Sequence, residues 1–185
     1  MGTAFEGVST MNGPPPVDAA AFKNGMRRLA GAVCILTVRK GGMRAGLTAT
    51  AVMSVSAQPP RLMVCMNRGV FAHDLLEVGG PLCVNVLGAD SLGDARRFAG
   101  MVDGVIGDER FRRGAWRDGE AGAPVLDDAL AAFECRVVEM IPASSHTMVL
   151  CEVVGLRTPG ADEAAGRSGQ PLVYFDGRFA SIGEL

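Results

Sequence analysis

Short runs of alternating apolar and polar residues recur along most of the chain, a pattern typical of strands. Ala32 to Arg39 is rich in β-branched residues, and a second extended segment runs from Arg44 to Ser56 after a double glycine. Glycine readily adopts the positive φ angles of tight turns, so the two runs predict a hairpin. Two consecutive prolines then interrupt the ladder, and Arg61 to Met66 predicts the next strand.

The second half of the chain continues the strand pattern. The predicted strands there are Leu82 to Leu87, Leu130 to Ile141, His146 to Arg157 and Leu172 to Phe175. About seven strands, most of them joined by tight turns, favour a closed or nearly closed antiparallel barrel over a doubly wound α/β sheet. The fold class predicted from the pattern is therefore mainly β with a few short helices.

Helical spacing of apolar residues appears in three places. From Asp18 to about Ala30, Phe22, Met26 and Leu29 share one face, and Asp18 is a suitable N-cap. Shorter helices are predicted at Phe71 to Val78 and at Asp90 to Phe98. The segment from Gly100 to Pro124 is irregular and charged, and long loops of this kind are often functional. We expect it to act as a lid.

Composition restricts the class of protein. The chain has 185 residues, of which 48% are hydrophobic and 21% charged, so it can bury one core and does not resemble a disordered chain. We expect a flexible N-terminal tail over residues 1–16 and one domain over residues 17–185. No apolar run approaches the roughly 20 residues that span a bilayer, and a net charge of -2 offers no basic field. We expect neither a membrane nor a nucleic acid as partner.

Cysteine and histidine usage bears on compartment and metal content. Five cysteines lie in apolar segments without a CxxC pair, which suits reduced thiols in the cytoplasm. The two histidines lack carboxylate partners at ligand spacing, so no metal site is predicted. Glycine-rich nucleotide loops and hydrolase nucleophile motifs are missing, which disfavours Rossmann, P-loop and α/β-hydrolase interpretations.

Hydroxyl residues recur at nearly every second position between Gly46 and Pro60. Thr48, Thr50, Ser54 and Ser56 stand between small apolar residues, and they could line a groove that admits a flat ring. An ordinary Thr/Ser-rich strand has the same composition. The pattern alone leaves both interpretations open.

Several short motifs stand in an order that resembles one family. They are Thr48-Ala49-Thr50, Ser54-Val55-Ser56, Pro59-Pro60, Leu82-Cys83-Val84-Asn85-Val86-Leu87, Phe98-Ala99-Gly100, Asp108-Glu109-Arg110-Phe111 and Leu172-Val173-Tyr174-Phe175-Asp176-Gly177-Arg178-Phe179. Each is weak alone, but they stand in register within a likeness that covers roughly Phe22 to Phe179. In this respect the chain resembles the flavin reductase-like family, the reductase components of two-component flavin-dependent monooxygenases.

The resemblance implies a fold and a division of the site. The fold would be the FMN-binding split β-barrel, a Greek-key antiparallel barrel. The residues that would contact the flavin are Thr48, Ala49, Thr50, Ser54, Val55, Ser56, Asn67, Arg68, Val70, Asn85, Leu87 and Phe98. Those that would contact the nicotinamide are His146, Tyr174, Phe175 and Arg178. No side chain is assigned as a catalytic acid or base, because the cofactors carry the chemistry.

The resemblance also implies substrates and partners. Hydride would pass from NADH, or less readily NADPH, to FMN or FAD, and the reduced flavin would serve a separate monooxygenase. A homodimer is expected. Many relatives have an aromatic-His pair where Phe179 and Ala180 stand here, which shifts the expected role onto His146. Two alternatives remain open, a flavin-binding or electron-transfer module without turnover and a flavoenzyme of the pyridoxamine-phosphate oxidase type.

Overall fold

The computed structural model describes residues 13–160 and 169–182. The α-helices are α1 (Ala19–Met26), α2 (Phe71–Asp74) and α3 (Leu92–Phe98), and 3-10 turns cover Ala89–Ser91 and Gly107–Arg112. The strands are β1 (Gly31–Ala32), β2 (Cys34–Lys40), β3 (Met43–Ala49), β4 (Val52–Ala57), β5 (Pro60–Asn67), β6 (Pro81–Val86), β7 (Trp116–Asp118), β8 (Pro124–Leu126), β9 (Ala131–Ala143), β10 (His146–Arg157), β11 (Leu172–Phe175) and β12 (Arg178–Ser181). The mainly β architecture confirms the predicted fold class.

A seven-stranded antiparallel sheet forms the body of the molecule, in the order β3-β2-β6-β9-β10-β5-β4. Its two edge strands, β3 and β4, follow one another in sequence with only Thr50 and Ala51 between them. A sheet whose opposite edges are joined by two residues must curl until those edges meet at that end. The curled sheet is therefore a barrel that is split between β3 and β4.

Both faces of the central strands are buried. On β2, Leu36 and Val38 point into the barrel, where they pack with residues of β5, β6, β9 and β10. The alternate residue Ile35 points outward and packs with Phe98 of α3 and Leu126 of β8. The period of two along the strand thus builds two apolar clusters from one run of sequence. This explains why the run reads as almost continuously hydrophobic.

Several predicted boundaries were wrong. The extended segment predicted from Arg44 to Ser56 is two strands, because the chain leaves one sheet edge at Thr50 and pairs with β5 at the other. Leu172 to Phe175 does not complete the barrel, since β11 pairs with β1 and β12 in a separate three-stranded sheet. The hairpin between β2 and β3 is confirmed, with positive φ at both turn glycines. The N-cap at Asp18 is also confirmed, because its carboxylate accepts from two main-chain amides.

The predicted lid is instead a packed part of the fold. The Phe111 ring is buried and meets Phe98 edge-on, with ring centroids 5.0 Å apart. Arg44 of β3 bonds Asp108 through Nε at 2.6 Å, and its guanidinium lies 4.5 Å from the centre of the Phe111 ring. These contacts hold the segment against β3. The predicted tail over residues 1–16 and the segment 161–168 lie largely outside the described residues.

Asn85 joins three elements in the interior. Its side chain is fully buried, donates to the Ile35 carbonyl at 3.1 Å and accepts from the Leu126 amide at 2.8 Å. It also lies 3.4 Å from the hydroxyl of Thr37. A buried amide with its partners satisfied ties β6 to β2 and β8.

Among the described residues, no helix is long and apolar enough to cross a membrane.

Replacing Asn85 with Ala should lower the free energy of unfolding by about 3 kcal/mol, because the main-chain groups at Ile35 and Leu126 lose buried partners. Urea denaturation followed by tryptophan fluorescence measures the change. Asn24, which is exposed on α1, provides the matched control, and its replacement by Ala should alter stability by less than about 0.5 kcal/mol. Equal effects of the two variants would contradict a structural role for Asn85.

Candidate functional site

A cavity of about 330 Å³ opens where the edges of the split barrel meet. The end of β3 and the link to β4 form one wall, and the start of β10, the end of β5 and the β11–β12 hairpin form the others. Its lining residues are Val33, Leu47, Thr48, Ala49, Thr50, Ala51, Cys65, Asn67, Ala99, Met101, His146, Tyr174 and Phe179. Most are small or apolar, which leaves a slot with a few polar groups.

Six of the predicted site residues converge on this cavity. They are Thr48, Ala49, Thr50, Asn67, His146 and Tyr174. Asn67 and His146 come together because β5 and β10 pair in a register that sets these two residues opposite each other. Tyr174 belongs to the small sheet and packs edge-on against Phe179 at 5.2 Å between ring centroids. Residues far apart in sequence thus share one slot.

The hydroxyls on the β3 wall differ in what they can offer a ligand. Thr48 donates its hydroxyl to the Ala95 carbonyl at 2.7 Å, so this side chain holds α3 against β3. Thr50 is exposed at the end of the strand, where the ladder stops. Edge strands carry main-chain amides and carbonyls that a sheet partner does not use. Polar groups are therefore presented along this wall.

His146 is half-buried at the start of β10. The hydroxyl of Ser145 lies 2.9 Å from its Nδ1, which orients the ring. The other histidine, His73, lies 2.8 Å through Nε2 from the buried Thr147 hydroxyl and serves packing instead. Within residues 13–160 and 169–182, no three histidine, cysteine or carboxylate side chains are grouped to hold a metal ion.

The structure places the second half of the hydroxyl pattern elsewhere. Ser54 and Ser56 line a different groove of about 310 Å³, and Val55 is an exposed residue of β4. The hydroxyls separate because the chain crosses from one edge of the sheet to the other at Thr50. A prediction that assigned one continuous strand put them in a single groove.

Three predicted flavin contacts are buried in the core. Asn85 and Leu87 are fully buried and Phe98 is 1% exposed, so none of them reaches the cavity.

Two further predicted flavin contacts, Arg68 and Val70, lie in the turn after Asn67, with Arg68 exposed and Val70 half-buried. This turn is held by the Gly69 amide, which donates to the Asn67 side chain at 2.8 Å. Neither residue lines the cavity, although Asn67 at the start of the turn does.

The β11–β12 hairpin supplies one predicted residue, Tyr174, and one that was not predicted, Phe179. Phe175 and Arg178 face each other across the turn and do not line the cavity, whereas Tyr174 and Phe179 do. Sequence reasoning missed Phe179 because it followed the departure from the family's aromatic-His pattern at that point. Cys65 and Met101 were also missed, and alternation along β5 could have indicated that Cys65 points to the same side as Asn67.

The sequence profile of the Flavin reductase like domain family matches residues 26–183. The match covers the barrel, the small sheet and every residue of the cavity. The chain belongs to the flavin reductase-like family. FMN reductase (NADH) RutF of Variovorax paradoxus is 40% identical over 169 residues, which is 91% of this chain and 88% of that protein.

Solved structures of family members share the fold. BorF, the flavin reductase component of a bacterial two-component tryptophan halogenase, superposes with a TM-score of 0.76 at 29% identity. The match covers 91% of this chain and 100% of BorF. The NADH:FAD oxidoreductase SgcE6 of Streptomyces globisporus, in complex with NAD and FAD fragments, gives a TM-score of 0.76 at 26% identity, covering 90% of this chain and 93% of that one.

The cavity fits the flat ring of a flavin. Ala49 and Ala51 leave room beside the strand end, and Leu47, Met101 and Phe179 provide apolar walls. A flavin ring also has a polar edge, which needs donors and acceptors such as those of Thr50 and the strand edge. The residues present therefore supply both the shape and the polar groups that the family's ligand requires.

Cys65 is the one half-buried thiol among five free cysteines, and the other four are buried. Burial raises the pKa of the Cys34 and Cys151 thiols to about 12 and moves the pKa of the Cys83 and Cys135 thiols still higher. Buried protonated thiols are poor nucleophiles. Reactivity in the folded protein should therefore be confined to the cavity.

Iodoacetamide at about pH 8 should label Cys65 alone in the folded protein, because the other thiols are protonated and inaccessible. Peptide mass spectrometry identifies the labelled site. Saturating FMN should slow labelling of Cys65 several-fold, since the thiol lines the cavity, while labelling of the urea-unfolded chain should be complete at all five positions. Equal labelling rates with and without FMN would place the flavin elsewhere.

Proposed function

We propose that this chain is an NADH-dependent flavin reductase that supplies reduced flavin to a separate oxygenase. The observation that carries the proposal is a slot at the split of the barrel, with polar strand ends on one wall and His146 and Tyr174 facing them. Relatives named FMN reductase (NADH) support FMN as the preferred flavin and NADH as the donor. The sequence alone had left both choices open.

When both are bound, the nicotinamide and the flavin carry the hydride transfer themselves. The protein's contribution is to hold two flat rings in contact and to exclude water. Thr50 and the free edge of β3 bind the polar edge of the flavin, and the Asn67 turn with Arg68 stands at its phosphate end. His146 and Tyr174 orient the nicotinamide on the open side. No side chain has to donate or remove a proton in the transfer.

The structure disfavours a pyridoxamine-phosphate oxidase. Such an enzyme needs a basic phosphate pocket, and Arg44, Arg61 and Arg68 are the arginines that could supply one. Arg44 is paired with Asp108, and Arg61 is paired with Glu152 at 3.2 Å. Their charges are therefore compensated outside the cavity. Arg68 is the arginine that follows the cavity residue Asn67 in the chain.

We also propose a cytoplasmic homodimer. The five free cysteines suit a reducing compartment. Exposed apolar side chains lie on β4 and β10, with Met53, Val154 and Leu156 each more than half exposed. Met53 and Leu156 flank the groove of about 310 Å³, and a second copy of the chain would cover this surface.

BorF, a reductase component of a two-component system, supports an oxygenase as the consumer of the reduced flavin.

Mixed anaerobically with FMN and NADH, the purified protein should bleach the visible absorbance of the flavin at a rate proportional to enzyme concentration. Replacing NADH by NADPH should raise the KM, and replacing FMN by FAD should lower kcat/KM. Flavin binding without bleaching would instead favour the module without turnover. Oxidation of an amine without NADH would favour the oxidase.

Thr50→Val should raise the KM for FMN about five- to tenfold, since removal of one hydrogen bond in a partly buried site costs about 1 kcal/mol. Ser54→Ala is the matched control and should leave this KM unchanged, because Ser54 lies in the other groove. Steady-state kinetics with varied FMN at saturating NADH measure both values. A larger effect for Ser54→Ala would mean that the flavin lies along β4.

A further inference from the structure

The N-terminal helix α1 carries an apolar face that the described part of the chain does not cover. Phe22, Met26 and Leu29 are 58%, 47% and 64% exposed, and their spacing sets them on one side of the helix. Asp18 caps the helix at its start. At its other end, the Arg27 carbonyl accepts from the Asp176 amide at 2.9 Å, which ties α1 to the β11–β12 turn. The helix is held in place with its apolar side open.

Beneath this face lies a groove of about 620 Å³. It joins the flavin cavity, because Thr50, Ala51 and Tyr174 line both. A ligand whose ring lies in the cavity could therefore extend its other half into the groove and stay in contact with the protein. The cavity of about 330 Å³ accommodates a ring system, and the groove provides additional space for a second one.

The charges of the groove are of one sign. Lys23 and Arg27 line it, and no acidic residue is among its described lining residues. The whole chain has a net charge of -2, so this concentration of positive charge is local. A cationic pair beside an apolar face matches a ligand that joins phosphates to a flat base.

We propose that the groove beneath α1 binds the adenosine phosphate half of a dinucleotide whose reactive ring occupies the cavity. The inference rests on the proposed flavin reductase function. The base packs on Phe22 and Met26, and Lys23 and Arg27 meet the phosphates. NADH and FAD both carry this half, whereas reduced nicotinamide mononucleotide and FMN do not. A two-fold contact between copies through the same groove would bring Lys23 and Arg27 of both chains together, which disfavours it.

Phe22→Ala tests the proposal in the 185-residue chain. It should raise the KM for the dinucleotide that occupies the groove, NADH or FAD, about tenfold, the scale of a lost base–aromatic contact, while the KM for the matching mononucleotide, reduced nicotinamide mononucleotide or FMN, changes less than about twofold. Phe71→Ala is the matched control, since Phe71 is also an exposed phenylalanine, at 52%, but lies outside both clefts. It should leave both KM values unchanged.

The same variant measured with FAD and FMN identifies the source of the adenosine. A raised KM for NADH alone assigns the groove to the nicotinamide dinucleotide, and a raised KM for FAD alone assigns it to the flavin dinucleotide. Lys23→Gln should also weaken the dependence of the affected KM on ionic strength, because one phosphate contact is lost. Either pattern supports the proposal.

Equal changes for the full dinucleotides and their mononucleotide halves would overturn the proposal. A shift of Phe22→Ala from dimer to monomer in size-exclusion chromatography, with parallel loss for all substrates, would also overturn it and assign α1 to a subunit interface. Both results leave the proposed function intact as long as the wild-type protein reduces flavin. Failure of the wild type with every flavin and nicotinamide would reject the function itself.

Discussion

The two-residue link between β3 and β4 is the constraint on which the site depends. These strands are the opposite edges of one seven-stranded sheet, and Thr50 and Ala51 are all that separates them. The edges are forced together at one end but are not bonded to each other. The site lies where the hydrogen-bonded ladder stops, so main-chain polar groups remain there for a ligand. The barrel interior can then stay apolar while the split keeps a few polar groups.

The rest of the fold holds this split in position. Asn85 connects β6 to β2 and β8 with satisfied hydrogen bonds, and Phe98 anchors α3 beneath the β3 wall. Thr48 bonds the Ala95 carbonyl and fixes the same helix from the strand side. A reductase that relies on ring positioning, without acid-base side chains, needs rigidity around the slot more than chemistry within it. Asn85 and Phe98 support these walls without lining the cavity, whereas Thr48 also lines it.

The candidate site was predicted in part, and the errors have a common cause. Thr48, Ala49, Thr50 and His146, which the family resemblance had singled out, all line one cavity. Ser54 was misplaced because a stretch of alternating residues does not reveal where the chain changes its sheet partner. Phe179 was missed because attention went to the departure from the family's aromatic-His pattern there, and the pairing that sets Phe179 opposite Tyr174 was not foreseen. In each case the local pattern was right and the pairing was not.

Asn85 illustrates the same limit in the core. A polar residue in an apolar strand can bind a ligand or the main chain, and only its neighbours in the fold decide which.

The sequence by itself determined the strand-rich class, the family and the positions of the hydroxyl residues along β3 and at its end. The tertiary structure alone decided which hydroxyls share a cavity, that residues 100–124 pack against β3, and that an open groove under α1 joins the site. Strand propensity and motif order are local properties, whereas pairing and closure depend on contacts between residues far apart in the chain.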